Sequence, residues 1–174
     1  MSQRYHEVEV VRLSEKRFRE FGEIIEPKPD MPVKFEAPGA FKFWDNVVDP
    51  KTVNLEFGYL EAYHSPLEFS VLERHVKTAE LVIPLTGCSV LPLAPPRDLD
   101  KPDAEPSLDE VVAFLLDGTK AVNLYPGTWH YAPMALSDRC TFLIGIRKGT
   151  TLDDMNVVDF KKKGIVFKIT KLRL

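Results

Sequence analysis

The sequence is poor in cysteine, with two among 174 residues, and neither Cys88 nor Cys140 stands in a Cys-x-x-Cys pair or at zinc-finger spacing. A disulfide framework is therefore excluded. Two buried thiols are the reading, with one bridge between them left open. Long apolar runs are also missing: the stretch from Val111 to Leu116 falls far short of the ~20 residues that a bilayer helix needs. Nor is there an excess of positive charge. With 23 Lys and Arg against 26 Asp and Glu the net charge is −3, which offers no field to a phosphate backbone and argues against nucleic acid as a partner. The opening residues carry Arg4, His6, Glu7, Glu9 and Arg12 and hold no secretory apolar core. No membrane partner and a cytoplasmic setting are the expectations.

What is present is an ordinary globular balance, 44% hydrophobic and 28% charged, enough for a core without staples. The expected organisation is one domain over 1–174, with residues 1–7 as an N-terminal tail. Residues 161–174 are expected to form a basic extension, because Lys161, Lys162, Lys163, Lys168, Lys171 and Arg173 stand there with no acidic residue among them. Ile165, Val166, Phe167 and Ile169 among them read as a strand with solvated lysines.

The 14 prolines and 9 glycines are scattered and cut the chain into short segments, the pattern of a sheet-rich domain. Strands are expected at 41–48, 54–63, 68–75, 80–85, 88–93, 120–124, 129–132, 140–147 and 165–169. Their lengths and spacing suit a mainly β antiparallel barrel or two-sheet jelly roll. One short helix is expected after Ser14, carrying Phe18 and ending near Gly22. The segment from Ser107 to Leu116 has the capping-box spacing of Ser107 and Glu110 but also reads as a strand. Pro95, Pro96, Pro102 and Pro106, interleaved with acids, mark a surface loop placed to overhang a barrel mouth.

The chemistry concentrates in Leu72-Glu73-Arg74-His75, then Glu80, and far along the chain Tyr125-Pro126-Gly127-Thr128-Trp129-His130. Imidazole nitrogen and carboxylate oxygen are the usual donors for borderline divalent metals, so His75, His130, Glu80 and Glu73 facing one cavity would hold such an ion. Strand alternation puts Glu73 and His75 on one face. If the strand continues, Lys77 shares that face and offers a cation to a substrate carboxylate. Arg74 has the opposite parity, facing out or toward a neighbouring subunit, and Trp129 adjoins His130; both join Lys77 as candidates for holding substrate. Pro126-Gly127 is a turn dipeptide that reverses the chain just before His130.

These blocks carry a resemblance. His75-x4-Glu80-x6-Gly87 with Pro126-Gly127-x2-His130 resembles the two cupin motifs, with Glu73 where the first histidine of an HxH pair would stand. The sequence is more closely similar to the ureidoglycolate lyase family, a cupin branch. The similarity lies in Phe18-x-x-Phe21-Gly22-Glu23-Ile24-Ile25, Leu72-Glu73-Arg74-His75, Lys101-Pro102-Asp103, Ala113-Phe114 and Gly127-Thr128-Trp129-His130 with Pro133. It departs from the family at Val76, where a proline is usual, and at Glu80, where a glutamine is usual.

The resemblance implies a single cupin-like barrel with one or two short helices, commonly homodimeric, and cleavage of (S)-ureidoglycolate, a small polar carboxylate, to glyoxylate and urea in allantoin breakdown. One base and one acid suffice for that reaction, and no organic cofactor is required. A metal-assisted version uses His75, His130, Glu73 and Glu80 as donors, which the acid at Glu80 favours. A metal-free version uses His130 as base and His75 or Glu73 as acid. The alternatives are a divergent cupin enzyme acting on another small polar substrate, a sugar or keto acid, and a non-catalytic metabolite-binding cupin.

Overall fold

The computed structural model describes residues 3–52 and 54–173. In chain order the elements are β1 (Arg4–Arg12), α1 (Glu15–Phe18), β2 (Gly22–Ile25), β3 (Phe35–Ala37), β4 (Phe41–Phe43), β5 (Leu55–Tyr63), β6 (Glu68–Phe69), β7 (Val71–Arg74) and β8 (Glu80–Thr86). There follow β9 (Ser89–Ala94), β10 (Val112–Leu116), β11 (Ala121–Leu124), β12 (Trp129–His130), β13 (Met134–Ala135), β14 (Arg139–Arg147), α2 (Thr150–Asp153), β15 (Asn156–Asp159) and β16 (Ile165–Arg173). Single-turn 3-10 helices lie at Leu108–Glu110 and Phe160–Lys163.

Two principal sheets form. The larger runs β15-β7-β12-β9-β10-β1-β16-β6, with β13 also on β9; the smaller runs β2-β11-β8-β14-β5. Their facing sides enclose one core, in which Leu91, Leu93, Phe114 and Leu116 of the large sheet meet Val82, Val122, Leu124 and Phe142 of the small one. Phe18 of α1 plugs this core, with its ring 5.0 Å from Phe114. The large sheet is buried on its other face too, where Val90, Ala94, Ala113 and Trp129 pack under Phe160 and Phe167. Period-2 alternation explains the run Ser89-Val90-Leu91-Pro92-Leu93-Ala94: odd leucines enter the inner core, Val90 and Ala94 the outer one, and all six residues are buried.

Two expectations about the ends are corrected. Arg4–Glu7 are not tail: they pair with Ile165–Lys168 of β16 as the start of β1, because Val8, Val10 and Val11 are buried and carry the segment in with them. The C-terminal segment does form a strand, after the 3-10 turn, but it is no appended extension: it is built into the large sheet, paired with β1 along its length and with β6 at Phe167 and Lys168. Met1, Ser2 and Leu174 lie outside the described residues. Most pairings are antiparallel, while β1 runs parallel to both of its neighbours, β10 and β16. The expected strand over 41–48 stops at Phe43, and Asn46 beyond it adopts φ +53°, which ends a ladder.

The proline-rich acidic loop is on the surface but does not overhang the inner cavity. Arg74 holds it on the opposite side of β7: the buried guanidinium donates to the carbonyls of Arg97 at 2.8 Å, Asp98 at 3.2 Å and Lys101 at 2.6 Å, and it lies 4.6 Å from the Trp129 ring. Arg74 thus faces neither solvent nor substrate. Bonds from a charged donor are worth about 1.5–3 kcal/mol each, partly recovered by water when broken. Arg74→Ala is accordingly expected to cost about 3 kcal/mol in denaturant unfolding and to make the 97–106 loop the first point of limited proteolysis.

Candidate active site

The two halves of the site come from sequence segments more than fifty residues apart, brought together by sheet register. His130 of β12 pairs directly with Glu73 of β7, and directly opposed residues place their side chains side by side. The turn that delivers β12 is built as expected: Thr128 N–H donates to Tyr125 O at 3.0 Å, and Gly127 takes φ +85°, a conformation that favours glycine. Gly127 N–H donates to the His75 carbonyl at 2.6 Å, so the turn is tied to the other half of the site. Alternation along β12 sends Trp129 into the outer core and His130 toward the inner cavity.

Glu80 arrives from the other sheet, at the first position of β8. Its Oε2 lies 3.2 Å from His130 Nε2 and 3.6 Å from His75 Nε2, while Glu73 Oε1 is 3.6 Å from His130 Nε2. The two imidazole rings are 5.1 Å apart. Each ring is oriented from behind by a main-chain acceptor: His75 Nδ1 donates to Asp154 O at 2.6 Å, and His130 Nδ1 donates to Thr128 O at 3.0 Å. Both Nε2 atoms are therefore turned to the cavity.

Burial alone would lower the proton affinity of His130, but the negative charges of Glu80 and of nearby Glu73 outweigh it, and the pKa is pushed up to about 9. The same proximity of His130 lowers the Glu73 carboxyl below its usual range, against the opposing effect of burial. The cavity of about 190 Å³ is lined by these four residues together with Leu60, Val82, Leu91, Tyr131, Ala132, Pro133, Ile144, Ile146, Thr151 and Met155.

The donor set suits a divalent metal. Glu73, His75 and His130 each offer a ligand atom, all within 4.8 Å of one another. Glu80 Oε2 is buried without a hydrogen bond among the described residues, as a fourth donor awaiting a cation would be. Main-chain acceptors behind both histidines fix the tautomer that ligation at Nε2 requires.

The other three candidates stand apart. Lys77 is half-exposed and its ammonium group donates to the Asp153 carbonyl at 2.8 Å; the parity that would aim it inward fails because β7 ends at Arg74. Arg74 and Trp129 pack on each other behind the sheet. Sequence reasoning missed Asp154, which is 2% exposed. Its carboxylate accepts from Val76 N–H at 2.9 Å and Lys77 N–H at 2.8 Å, supplying the partners that these amides lose when the ladder stops. No local signal marks Asp154, because its partners lie 77 to 79 positions away. Thr151 and Met155, also missed, enter from α2 and the residues after it.

A two-sheet, jelly-roll β-fold whose facing sheets bring Glu73, His130 and Glu80, with His75 just past the end of β7, to one cavity is a cupin-class protein with a metal-competent pocket. The family model described as ureidoglycolate lyase matches residues 5–167. The chain belongs to the ureidoglycolate lyase family.

Among relatives carrying that name, one from Azotobacter vinelandii is 36% identical over 85 residues, 48% of each chain. One from Burkholderia mallei is 28% identical over 155 residues, 83% of this chain and 86% of that protein. The chain spans about half the length of the Azotobacter vinelandii and Pseudomonas savastanoi relatives, 48% and 49% respectively. A solved structure of RmlC from Streptococcus suis in complex with dTDP-D-xylose is similar at TM-score 0.41 and 15% identity, over 74% of this chain and 72% of that one.

Two outcomes are expected. Asp154→Ala strands two amides and frees the 75–77 turn, lowering stability by about 2–4 kcal/mol in denaturant titrations. In chelator-treated protein the raised His130 pKa contributes stability that is complete below the ordinary value of 6.5 and is lost as pH rises through about 9. The stability advantage over a His130→Gln variant should therefore shrink across that interval.

Proposed function

We propose that the chain acts as a ureidoglycolate lyase, cleaving (S)-ureidoglycolate to glyoxylate and urea in allantoin and purine breakdown. The observation that carries this reading is the convergence of His75, His130, Glu73 and Glu80 on one cavity, with both Nε2 atoms facing it.

The substrate carbon bears a hydroxyl, a carboxylate and a urea nitrogen. Removing the hydroxyl proton lets the oxygen lone pair form the carbonyl while the C–N bond breaks. The electron pair departs on nitrogen, which takes up a proton to become urea. One proton is removed and one is delivered, so no nucleophile or organic cofactor enters the balance.

His75, with Nδ1–H engaged on Asp154 O, presents its Nε2 lone pair as the base. His130, with a pKa of about 9, carries a proton at neutral pH and suits the acid that protonates the leaving nitrogen. This reverses the assignment that sequence suggested for His130. Glu73 stays ionised and orients His130. When bound, a divalent cation held by Glu73, His75 and His130 would polarise the α-hydroxycarboxylate and lower its hydroxyl pKa. With those residues engaged on a cation, Glu80 would complete the donor set, and the base and acid roles above belong to the metal-free site.

A homodimer and a cytoplasmic setting belong to the same reading. The exposed aromatic row Phe57, Tyr59 and Tyr63 on β5, the edge of the small sheet, supports a dimer surface. The free Cys88 and Cys140 support a reducing compartment.

Purified protein is expected to release urea and glyoxylate in equal amounts from ureidoglycolate. His75→Ala and His130→Ala should each lower kcat by at least about 100-fold with the fold retained by circular dichroism. Unchanged turnover in both variants overturns the reading.

A further inference from the structure

Outside the His/Glu cluster the cavity has few polar groups to offer. Neither Lys nor Arg lines it among the described residues, since Lys77 is turned out to Asp153 and Arg74 is committed behind the sheet. Tyr131 stacks its ring on Phe69 at 5.3 Å and packs with the outer core. Thr151 remains. It lines the cavity from the exposed rim, and its hydroxyl has no hydrogen-bond partner among the described residues. The adjacent Thr150, by contrast, is buried and donates to Arg147 O at 2.7 Å. The turn that carries Thr151 is fixed to the site: Gly149 N–H donates to Glu56 Oε1 at 3.1 Å, Asp154 N–H donates to Thr150 O at 2.9 Å, and Arg147 pairs with Asp153. Asp154 O in turn takes the Nδ1 proton of His75. Thr151 therefore stands on the same short support as the carbonyl that orients the base.

We propose that the Thr151 hydroxyl receives the ureido end of the substrate and orients it for C–N cleavage. The inference rests on the lyase reading and deepens it. The α-hydroxycarboxylate end belongs to the His/Glu cluster, where the hydroxyl proton is removed. The ureido end, a carbonyl oxygen beside an NH2 group, extends from there toward the rim and needs a polar partner, because a desolvated amide left unpaired is costly. A threonine hydroxyl donates to the carbonyl oxygen or accepts from the amide nitrogen. As the C–N bond breaks, the electron pair left on nitrogen is shared with that carbonyl oxygen, so a hydrogen bond donated by Thr151 strengthens as charge develops. The proton balance is unchanged, with His130 supplying the proton that completes urea.

The test has a binding arm and a turnover arm. Calorimetry on the purified protein, as isolated, compares glycolate, which has the hydroxyl and carboxylate alone, with ureidoacetate, which carries the ureido group in place of the hydroxyl. Thr151→Val, which keeps the shape of the side chain, should weaken ureidoacetate about five- to tenfold and leave glycolate within about twofold. Thr151→Ser should stay close to the parent protein for both probes, and Thr151→Ala serves in place of the valine variant should that one fold poorly. Unchanged ureidoacetate affinity in Thr151→Val, failure of Thr151→Ser to preserve it, or no binding of ureidoacetate to the parent protein overturns the proposal. A parallel loss for both probes overturns it too, since it marks a turn that acts only by holding His75. In the second arm, kcat/KM for ureidoglycolate should fall about tenfold in Thr151→Val and recover in Thr151→Ser; an unchanged value overturns the proposal. Absence of urea release from the parent protein, with the ureidoacetate pattern intact, removes the lyase reading and leaves the ureido subsite standing.

Discussion

Glu80 belongs to the small sheet, whereas His130 and Glu73 belong to the large one, and His75 directly follows the end of β7. The attraction between a buried carboxylate and the two imidazoles 3.2 and 3.6 Å away therefore bridges the sheets at the mouth of the inner core. Charges about 4 Å apart attract by about 4 kcal/mol at an effective dielectric of 20, while burial costs several kcal/mol per ion. The two nearly cancel. Such a cluster adds little net stability, so its presence in the core is best explained by what it does there, holding proton or cation donors in fixed relation.

The surrounding structure supplies that fixity without using the reacting atoms. Main-chain carbonyls of Asp154 and Thr128 take the Nδ1 protons, the Asp154 carboxylate closes the turn after His75, and Gly127 N–H ties the second motif to the first. Groups placed in this way keep their orientation whether a proton or a metal occupies the Nε2 side. Arg74 does comparable work on the reverse face, where its guanidinium collects three carbonyls and keeps the acidic loop away from the cavity.

The cavity itself has two characters. One side is an acid and imidazole cluster suited to moving a proton between oxygen and nitrogen. The other is mostly aliphatic and continuous with the core between the sheets. Both follow from the same strands, because residues two apart on β8 share a face: Glu80 sits in the cluster and Val82 in the wall.

Sequence alone determined the sheet-rich architecture, since turn residues and alternating apolar positions are local signals, and it singled out Glu73, His75, Glu80 and His130 because their motifs are compact. It also anticipated the Pro126-Gly127 reversal. It misread Arg4–Glu7, whose charges resemble a tail, because pairing with β16 more than 150 positions away has no local trace. The fates of Lys77 and Arg74, the role of Asp154 and the aliphatic wall were decided only in the tertiary structure. Where a strand stops, and which distant carbonyl meets a buried donor, are set by long-range packing and hydrogen-bond satisfaction, and residue order carries no direct record of either.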